Sequence, residues 1–233
     1  MADARSPDGA FGEQMRTAAI FVPAIVAAYL VGSIPFGPIL ARAHGKDLRQ
    51  IGSGNIGATN LARALGRKWG YLCFVLDVLK GLIPVAAVAA IAGTPDRPAL
   101  MALWLVVGIA AIVGHVFPVF LGFKGGKGVS TSLGVALGLW PYFTIPGLIA
   151  FAVWIAVVLI WRYVSLASIC GAVTFPVALL IGIGIVPAWT AAGLWPLLIA
   201  AIGIPLMVIV RHRDNVRRLL AGTESKIRGK DAR

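Results

Sequence analysis

Two lysines stand among four glycines in the stretch Gly122–Gly128, which follows a long apolar segment. Glycine has no Cβ, so backbone N–H groups there can converge on an anion, and the ammonium groups of Lys124 and Lys127 would neutralise its charge. This pattern indicates a phosphate site at a membrane surface. The Walker A spacing of glycines is absent and no strand precedes the stretch, which disfavours nucleotide hydrolysis. The alternative is a flexible turn whose lysines only anchor helix ends.

A second polar stretch, Gly52–Asn60, combines glycine with Ser, Thr and Asn and is followed by Arg63. Small and amide residues at this density favour backbone turns. Thr59 or Asn60 could cap a short helix that carries Arg63 in its first turn, which would bring free N–H groups and a guanidinium together. That arrangement suits a phosphate ester. The alternative is an interfacial turn in which glycine only permits tight packing.

A third polar stretch, residues 212–224, follows the last apolar segment. On a helix, His212 and Asn215 would share one face, from which they could reach back toward the membrane. Arg217 and Arg218 are typical of a positive anchor that faces anionic lipid. We therefore interpret the histidine and the asparagine, but not these arginines, as site residues.

Ionisable residues also occur inside the apolar segments. Asp77 and Lys80 lie one helical turn apart, and each costs about 2.5–3.5 kcal/mol to insert, so they should face a polar cavity or each other. The nearby stretch Ser33–Pro38 should loosen its helix and free backbone groups beside the same cavity. His115, at the end of an apolar segment, is more typical of a packed residue than of a base.

The elements that must position these residues are transmembrane helices. The chain is 59% hydrophobic and 13% charged over 233 residues, which is too apolar for one soluble core. Its net charge of +12 indicates how the chain is oriented in the membrane, because Lys and Arg in short loops set that orientation. Nucleic acid is not an expected partner. Cys73 and Cys170 lie in apolar runs, so neither a disulfide scaffold nor a metal site is expected.

Seven apolar segments of about the length that a bilayer requires follow one another, so we predict an all-α polytopic membrane protein of about seven spans. They are residues 17–43, 70–93, 99–121, 129–140, 143–161, 164–186 and 190–210. The fourth is short, and it could be a half-span or could fuse with the fifth. A single domain of residues 1–233 is expected, with a polar N-terminal tail (1–16) and a polar C-terminal tail (211–233).

The distribution of Lys and Arg sets the predicted orientation. Residues 42–69, 122–128, 162 and 211–233 carry 17 of the 21 such residues, and the opposite side carries three. This bias places the C-terminus in the cytoplasm and the N-terminus outside, with all three polar stretches on the cytoplasmic face.

Taken together, the three polar stretches resemble the motifs of the bacterial acyl-phosphate:glycerol-3-phosphate acyltransferase family. The matching residues are Gly52–Asn60, Gly114-His115 through Phe123–Gly128, and His212, Arg213, Asn215 and Glu224, together with Ser33–Gly37, Leu76-Asp77 and Lys80-Gly81. The resemblance covers nearly the whole chain in the same order. Only the longer N-terminal tail and Asp214 depart from it.

The resemblance implies an enzyme of the bacterial inner membrane that moves a fatty acyl group from acyl phosphate to the 1-hydroxyl of sn-glycerol 3-phosphate. The products are lysophosphatidic acid and inorganic phosphate, as the first step of phospholipid synthesis. It implies no metal, no other cofactor and no obligatory protein partner besides membrane lipid.

It also implies roles for individual residues. The expected catalytic residues are His212, Asn215, Ser53 and Arg63. The expected substrate-binding residues are Lys124, Gly125, Gly126, Lys127, Asn55, Asn60, His115, Lys80, Ser33 and Glu224. Acyl phosphate is already activated, so no covalent acyl-enzyme is expected.

Three groups are candidates for the general base: His212, His115 and the substrate's own phosphate, whose second pKa of about 6 makes it a dianion near neutrality. Two other classes of function also fit parts of the pattern. A transporter of a phosphorylated solute would explain charges within spans, and a lipid-binding scaffold would explain the basic tail. Crowding of the polar stretches on one face, without a visible inverted repeat, favours the enzyme.

Overall fold

The computed structural model describes residues 7–95 and 97–227, and this part of the chain contains helices and turns but no strand. The α-helices are α1 (Pro7–Gly32), α2 (Phe36–Arg42), α3 (Ala58–Leu65), α4 (Arg67–Ala92), α5 (Pro98–Val116), α6 (Val129–Gly138), α7 (Thr144–Trp161), α8 (Val164–Ile185), α9 (Ala191–Arg211) and α10 (Arg213–Leu220). Two single 3₁₀ turns occupy Leu48–Gln50 and Val119–Leu121. The outer parts of both predicted polar tails, residues 1–6 and 228–233, lie outside the described residues.

Six segments of the described chain are long and apolar enough to cross a bilayer, which confirms the predicted all-α polytopic architecture. They are Gly12–Arg42, Arg67–Ala92, Pro98–Leu121, Thr144–Trp161, Val164–Ile185 and Ala191–Arg211. The segment predicted at residues 129–140 is α6, whose ten residues rise only about 15 Å and do not cross alone. The predicted count of about seven therefore becomes six full-length spans and one short helix.

The short helix nevertheless completes one passage of the chain through the bundle. Helix α6 starts directly after the stretch Gly122–Gly128, which we call the lysine loop. Helix α7 returns to the same end of the bundle, where the N–H of Ile227 donates to the carbonyl of Arg162 at 2.8 Å. At the other end, Arg97 before α5 pairs with Glu13 of α1 at 2.5 Å. The start of α1 and helix α10 thus lie at opposite ends of the bundle. Which end faces the cytoplasm stays a prediction from the charge bias.

The first predicted segment, residues 17–43, is two helices rather than one. Helix α1 begins at Pro7, so residues 7–16 of the predicted polar tail are helical and continuous with the first span. It ends at Gly32, and α2 begins after Pro35. The break leaves the carbonyl of Ile34 outside both helices, where the ammonium of Lys80 donates to it at 2.9 Å. The predicted loosening of this helix is confirmed, because proline cannot supply the N–H that a continuous helix needs.

Glycines let α4 and α6 pack with their backbones in contact. A Cβ added at Gly134 would lie 1.9 Å from the carbonyl oxygen of Val78, and one added at Gly81 would lie 2.3 Å from that of Thr131. Small residues at such crossings are typical of membrane helices, which gain stability from close packing rather than from expulsion of water. The crossing holds α6 against the helix that carries Asp77 and Lys80.

The outward faces of the long helices are apolar. Leu159, Ile160, Ile185, Ile199 and Ile202 are each more than 60% exposed in the isolated chain. Exposed aliphatic side chains at this density on several helices match a surface that contacts lipid hydrocarbon. The interior is closed by side chains such as Trp104, whose indole N–H donates to the carbonyl of Val85 at 2.9 Å.

Substitution of Gly134 by alanine should destabilise the protein, because the new methyl group would overlap the backbone of α4. Overpacking costs about 1–3 kcal/mol where side chains can yield, and a carbonyl cannot yield as easily. We expect a clear drop in the unfolding temperature of the detergent-solubilised protein. Gly203→Ala in α9 is the control, since no atom lies within 4 Å of its added Cβ. Equal unfolding temperatures for both variants would contradict this packing.

Candidate active site

A chain of hydrogen bonds joins the lysine loop to the C-terminal segment. The ammonium of Lys127 donates to the amide oxygen of Asn215, a buried residue of α10. The amide nitrogen of Asn215 donates in turn to a carboxylate oxygen of Glu224 at 2.6 Å. Asn215 therefore contacts a residue of the second polar stretch that lies 88 positions earlier in the chain, and Glu224 acts on that residue through Asn215.

Glu224 is the centre of a larger polar network. Its two oxygens also accept a hydrogen bond from the hydroxyl of Ser165 and one from the guanidinium of Arg218, both at 2.7 Å. Burial by itself raises the pKa of Glu224, but the hydrogen bonds from Asn215, Arg218 and Ser165 outweigh it and hold the pKa below the ordinary 4.5. The carboxylate is therefore ionised near neutral pH and orients the Asn215 amide.

The first polar stretch reaches the same network from the other side. Arg63 donates to the carbonyl of Ser225 at 3.2 Å, next to Glu224. Arg49 donates to the carbonyl of Lys124 at 3.2 Å and so ties the first loop to the lysine loop. All three polar stretches thus meet at one end of the bundle, as the sequence predicts.

The details of the first loop differ from the prediction. Gly57, not Thr59 or Asn60, is the N-cap of α3, and Arg63 lies in its last turn rather than its first. Asn60 is 1% exposed and uses its side chain on the loop itself, accepting from the N–H of Ser53 and donating to the carbonyls of Leu48 and Ile51. It therefore shapes the loop and does not face a ligand.

Asn55 and Ser53 of the same loop differ in their side-chain contacts. The side-chain oxygen of Asn55 accepts from the N–H of Gly57 at 2.9 Å, which stabilises a tight turn. The hydroxyl of Ser53 is on an exposed residue and has no hydrogen-bond partner within the described chain. Of the loop's predicted site residues, Ser53 and Arg63 are the ones left open to a ligand.

The glycines of the lysine loop have a different role from the one predicted. The N–H groups of Gly125 and Gly126 do not converge on an open site, because they donate to the carbonyls of Val116 and His115, both at 3.1 Å. A Cβ at either glycine would lie 2.2 Å from His115, from its carbonyl oxygen in one case and from Nε2 in the other. Glycine is required here for close packing on the end of α5.

The two lysines of the loop point in different directions. Lys124 is exposed, whereas Lys127 is half-buried and faces Asn215. Burial is the main cause that lowers the pKa of Lys127 to about 8, and nearby arginines add to it. This ammonium is still charged near neutral pH and gains from an anionic ligand.

His212 lies at the corner between α9 and α10 and is 3% exposed. Its Nδ1 is 2.8 Å from the carbonyl of Val208, and since a carbonyl can only accept, Nδ1 carries the proton and Nε2 keeps a free lone pair. Burial, together with the charge of Lys127, lowers the pKa of His212 to about 4. The imidazole is therefore neutral at ordinary pH and suited to accept a hydrogen bond.

Three predicted substrate-binding residues lie apart from this network, around a small polar cavity beside the break between α1 and α2. Lys80 pairs with Asp77 at 2.8 Å and donates to Ile34, so its ammonium is occupied. Ser33 donates to the carbonyl of Tyr29 at 2.8 Å. His115 Nδ1 is 3.7 Å from Asp77, beyond hydrogen-bond distance, and is unpartnered within the described chain. Asp77 and Lys80 form a buried ion pair and both line this cavity, which confirms the expectation that they face a polar cavity or each other.

An apolar cavity of about 110 Å³ lies between α4, α6, α7, α8 and α9. Its walls are mainly aliphatic and aromatic, and they include Phe74, Val129, Phe143, Phe151, Trp154, Phe175 and Val208. Val208 connects the cavity to the polar network, because its carbonyl holds the ring of His212. A polar site with an ammonium and a neutral imidazole thus adjoins a space for hydrocarbon.

Sequence reasoning missed four side chains that hold this site together: Arg49, Ser165, Arg218 and Arg211, the last of which donates to the carbonyl of Gly126. Ser165 opens a helix at the same predicted membrane level as the polar stretches, and this position was the one available signal for it. The three arginines fit the positive-inside pattern equally well as anchors, so their composition alone could not distinguish them.

A family model described as glycerol-3-phosphate acyltransferase matches residues 22–222. The chain belongs to the glycerol-3-phosphate acyltransferase family. It is 47% identical over 204 residues to a glycerol-3-phosphate acyltransferase of Trichlorobacter lovleyi, covering 88% of this chain and 96% of that protein. It is 43% identical over 204 residues to one of Aquifex aeolicus, covering 87% and 96%. The predicted family is confirmed.

Solved structures of the same family agree with the fold. A crystal structure of PlsY (YgiH), an integral membrane glycerol 3-phosphate acyltransferase, in its glycerol 3-phosphate form superposes with a TM-score of 0.77 at 41% identity. It covers 89% of this chain and 96% of that one. The lysophosphatidic acid form of PlsY gives a TM-score of 0.75 at the same identity. The multi-span membrane architecture is therefore shared with this family.

Replacement of Glu224 by glutamine should weaken the attachment of the C-terminal segment. Because the folded pKa of Glu224 lies below 4.5, its contribution to stability is complete above pH 4.5 and disappears as the pH falls through the folded value. We expect the wild-type unfolding temperature to fall in that acidic range, and Glu224→Gln to start lower and fall less.

Asp214→Asn serves as the control for this charge change. Its carboxylate is 64% exposed in α10 and pairs loosely with two exposed arginines, Arg217 at 3.6 Å and Arg213 at 4.0 Å, so its removal should change stability little. If Glu224→Gln had the same unfolding temperature and acid profile as wild type, the network would not hold the segment.

Proposed function

We propose that this protein transfers a fatty acyl group from acyl phosphate to the 1-hydroxyl of sn-glycerol 3-phosphate, giving lysophosphatidic acid and inorganic phosphate. The observation that carries the proposal is the contact of Lys127 with Asn215 beside His212, one helical turn from the apolar cavity at Val208. A phosphorylated polyol and a hydrocarbon chain would meet at that boundary. The glycerol 3-phosphate and lysophosphatidic acid forms of PlsY support the same pair of molecules.

In this proposal the phosphate of glycerol 3-phosphate binds to the ammonium of Lys127 and to N–H groups at the start of α6. The first N–H groups of a helix have no partner within it, and the helix dipole favours an anion there. Arg63 and Ser53 face the same end of the bundle and hold the second phosphate, that of the donor. Asn215 and His212 orient the glycerol hydroxyl.

The first part of the donor's acyl chain occupies the apolar cavity, because a volume of about 110 Å³ is smaller than a whole fatty chain needs. Each CH₂ group buried there gains about 0.8 kcal/mol relative to water, and the rest of the chain lies among the lipid chains. The ester product would leave the site with its chain already in an apolar environment. Since the site lies at the end of the bundle with the positive bias, we propose that it faces the cytoplasm of a bacterial inner membrane.

The reaction forms a bond between the glycerol oxygen and the acyl carbon and breaks the bond between that carbon and the phosphate oxygen. Phosphate leaves with the bonding electrons, and the proton of the hydroxyl goes to a base. Acyl phosphate is a mixed anhydride, so neither a metal nor another cofactor is needed for activation. No covalent acyl-enzyme is proposed, because within the described chain no serine or cysteine bonds to a histidine.

The proposed base is the substrate's phosphate dianion. His212 has the free Nε2 that a base needs, but a pKa of about 4 makes it a weak one near neutrality. The phosphate, with a second pKa of about 6, is the stronger acceptor under the same conditions. His212 would then act by accepting the hydroxyl hydrogen bond that orients the nucleophile.

The donor is tested with purified protein, radiolabelled glycerol 3-phosphate and three acyl donors assayed in parallel. Acyl phosphate should give labelled lysophosphatidic acid, whereas acyl-CoA and the acylated form of acyl carrier protein should give none. Protein incubated with labelled acyl phosphate alone should carry no bound label after denaturation. Product from acyl-CoA, or a stable labelled protein, would overturn the corresponding part of the proposal.

The pH profile of kcat/KM for glycerol 3-phosphate should have two limbs. The acidic limb, near pH 6, reports the substrate phosphate, and the alkaline limb, near pH 8, reports loss of the Lys127 charge in the free enzyme. Lys127→Arg should abolish the alkaline limb, since arginine stays charged, and Lys127→Ala should lose activity. His212→Gln should keep both limbs and most of the turnover.

Two results would contradict this division of roles. A complete loss of turnover in His212→Gln, with unchanged substrate affinity, would make His212 the base. An alkaline limb that persists in Lys127→Arg would assign that limb to another group.

A further inference from the structure

Arg211 is the last residue of α9 and makes two contacts with the chain around the lysine loop. Its guanidinium donates to the carbonyl of Gly126 at 2.8 Å. It also lies over the ring of Phe117, 5.6 Å from the centroid, which is within the range of a cation–π contact. Neither contact involves the side chains that form the polar network.

Gly126 is also held by α5, through its N–H. The N–H of Gly126 donates to the carbonyl of His115 at 3.1 Å, and its Cα packs against the imidazole ring. Gly126 is therefore fixed through both its N–H and its C=O. The only described side chain that donates to its C=O is that of Arg211.

Lys127 follows Gly126 directly, so the peptide that Arg211 holds determines where the lysine side chain begins. The far end of that side chain meets Asn215, four residues after Arg211. The corner between α9 and α10 thus holds Lys127 twice, at its backbone and at its ammonium. A loop that is half glycine has high conformational entropy when free, and such external contacts are what restrict it.

We propose that Arg211 is a positioning residue for glycerol 3-phosphate binding, which acts by holding the Gly126 carbonyl so that Lys127 meets the substrate phosphate. This inference rests on the proposed function, since it takes that phosphate as the ligand of Lys127. Arg211 contacts the substrate only through Lys127.

Three substitutions separate this role from a direct contact between Arg211 and phosphate. Arg211→Lys keeps a charge and a donor, Arg211→Gln keeps a donor without charge, and Arg211→Met keeps neither. If Arg211 acts through the carbonyl of Gly126, Arg211→Gln and Arg211→Lys should both keep part of the affinity for glycerol 3-phosphate, and Arg211→Met should bind it most weakly. If Arg211 binds the phosphate directly, only Arg211→Lys should keep part of that affinity.

The experiment measures steady-state kinetics with acyl phosphate, and calorimetric binding of glycerol 3-phosphate, for wild type and the three variants. Loss of one hydrogen bond to a charged donor corresponds to about a tenfold change in an equilibrium constant. We expect Arg211→Met to raise KM for glycerol 3-phosphate about tenfold, with kcat and KM for acyl phosphate unchanged. Arg211→Gln and Arg211→Lys should fall between it and wild type.

Arg217→Met is the matched control, because it removes an equal charge from α10 at an exposed side chain that contacts Asp214 and not the lysine loop. It should bind glycerol 3-phosphate like wild type. Equal losses in both variants, rescue by lysine alone, or a parallel rise in both KM values with a lower unfolding temperature would each overturn the positioning role.

The binding measurement keeps this inference separate from the choice of donor. If wild type binds glycerol 3-phosphate but does not use acyl phosphate, the proposed donor fails while the Arg211 series still decides between the two roles. If wild type does not bind glycerol 3-phosphate, the positioning role fails as well.

Discussion

A half-buried lysine at the edge of a bilayer needs partners that keep it charged and in place, and Lys127 finds them in Asn215 and Glu224. The amide of Asn215 accepts from the ammonium and donates to the carboxylate, so the orientation of one side chain depends on the charge of the next. Ser165 and Arg218 complete the set around the carboxylate. Because these residues come from three separate parts of the sequence, the network also fixes α6, α8 and α10 relative to one another.

Packing elsewhere in the bundle fixes the position of Lys127. Glycine crossings between α4 and α6 fix the helix that follows it, and the packing of Gly125 and Gly126 on His115 fixes the loop that precedes it. The ion pair of Asp77 and Lys80 closes the break between α1 and α2 on the same side of the bundle. Buried ion pairs add little net stability, but they require their partners to be present, which favours a specific arrangement of the helices.

The boundary between the polar network and the apolar cavity explains why such a site belongs in a membrane. A soluble enzyme would have to bury a long hydrocarbon chain inside its own core, whereas here the helices already face lipid. Val208 lies at this boundary, since it lines the cavity and its carbonyl sets the tautomer of His212. The proposed reaction uses this boundary by bringing a phosphate ester and an acyl chain together.

Sequence by itself determined the helical membrane class, most helix bounds and the convergence on one side of three polar stretches, which contain Lys127, His212, Asn215 and Glu224. These follow from local properties, namely runs of apolar residues, proline breaks and the presence of ionisable groups at helix ends. Tertiary structure alone decided which way each side chain points. It turned Asn60, Lys80 and Ser33 toward the protein, used the N–H groups of the lysine loop internally and brought Arg211 to Gly126, 85 positions away. A hydrogen bond depends on distances of a few tenths of an ångström, and those are set by how helices pack, not by residue type or spacing.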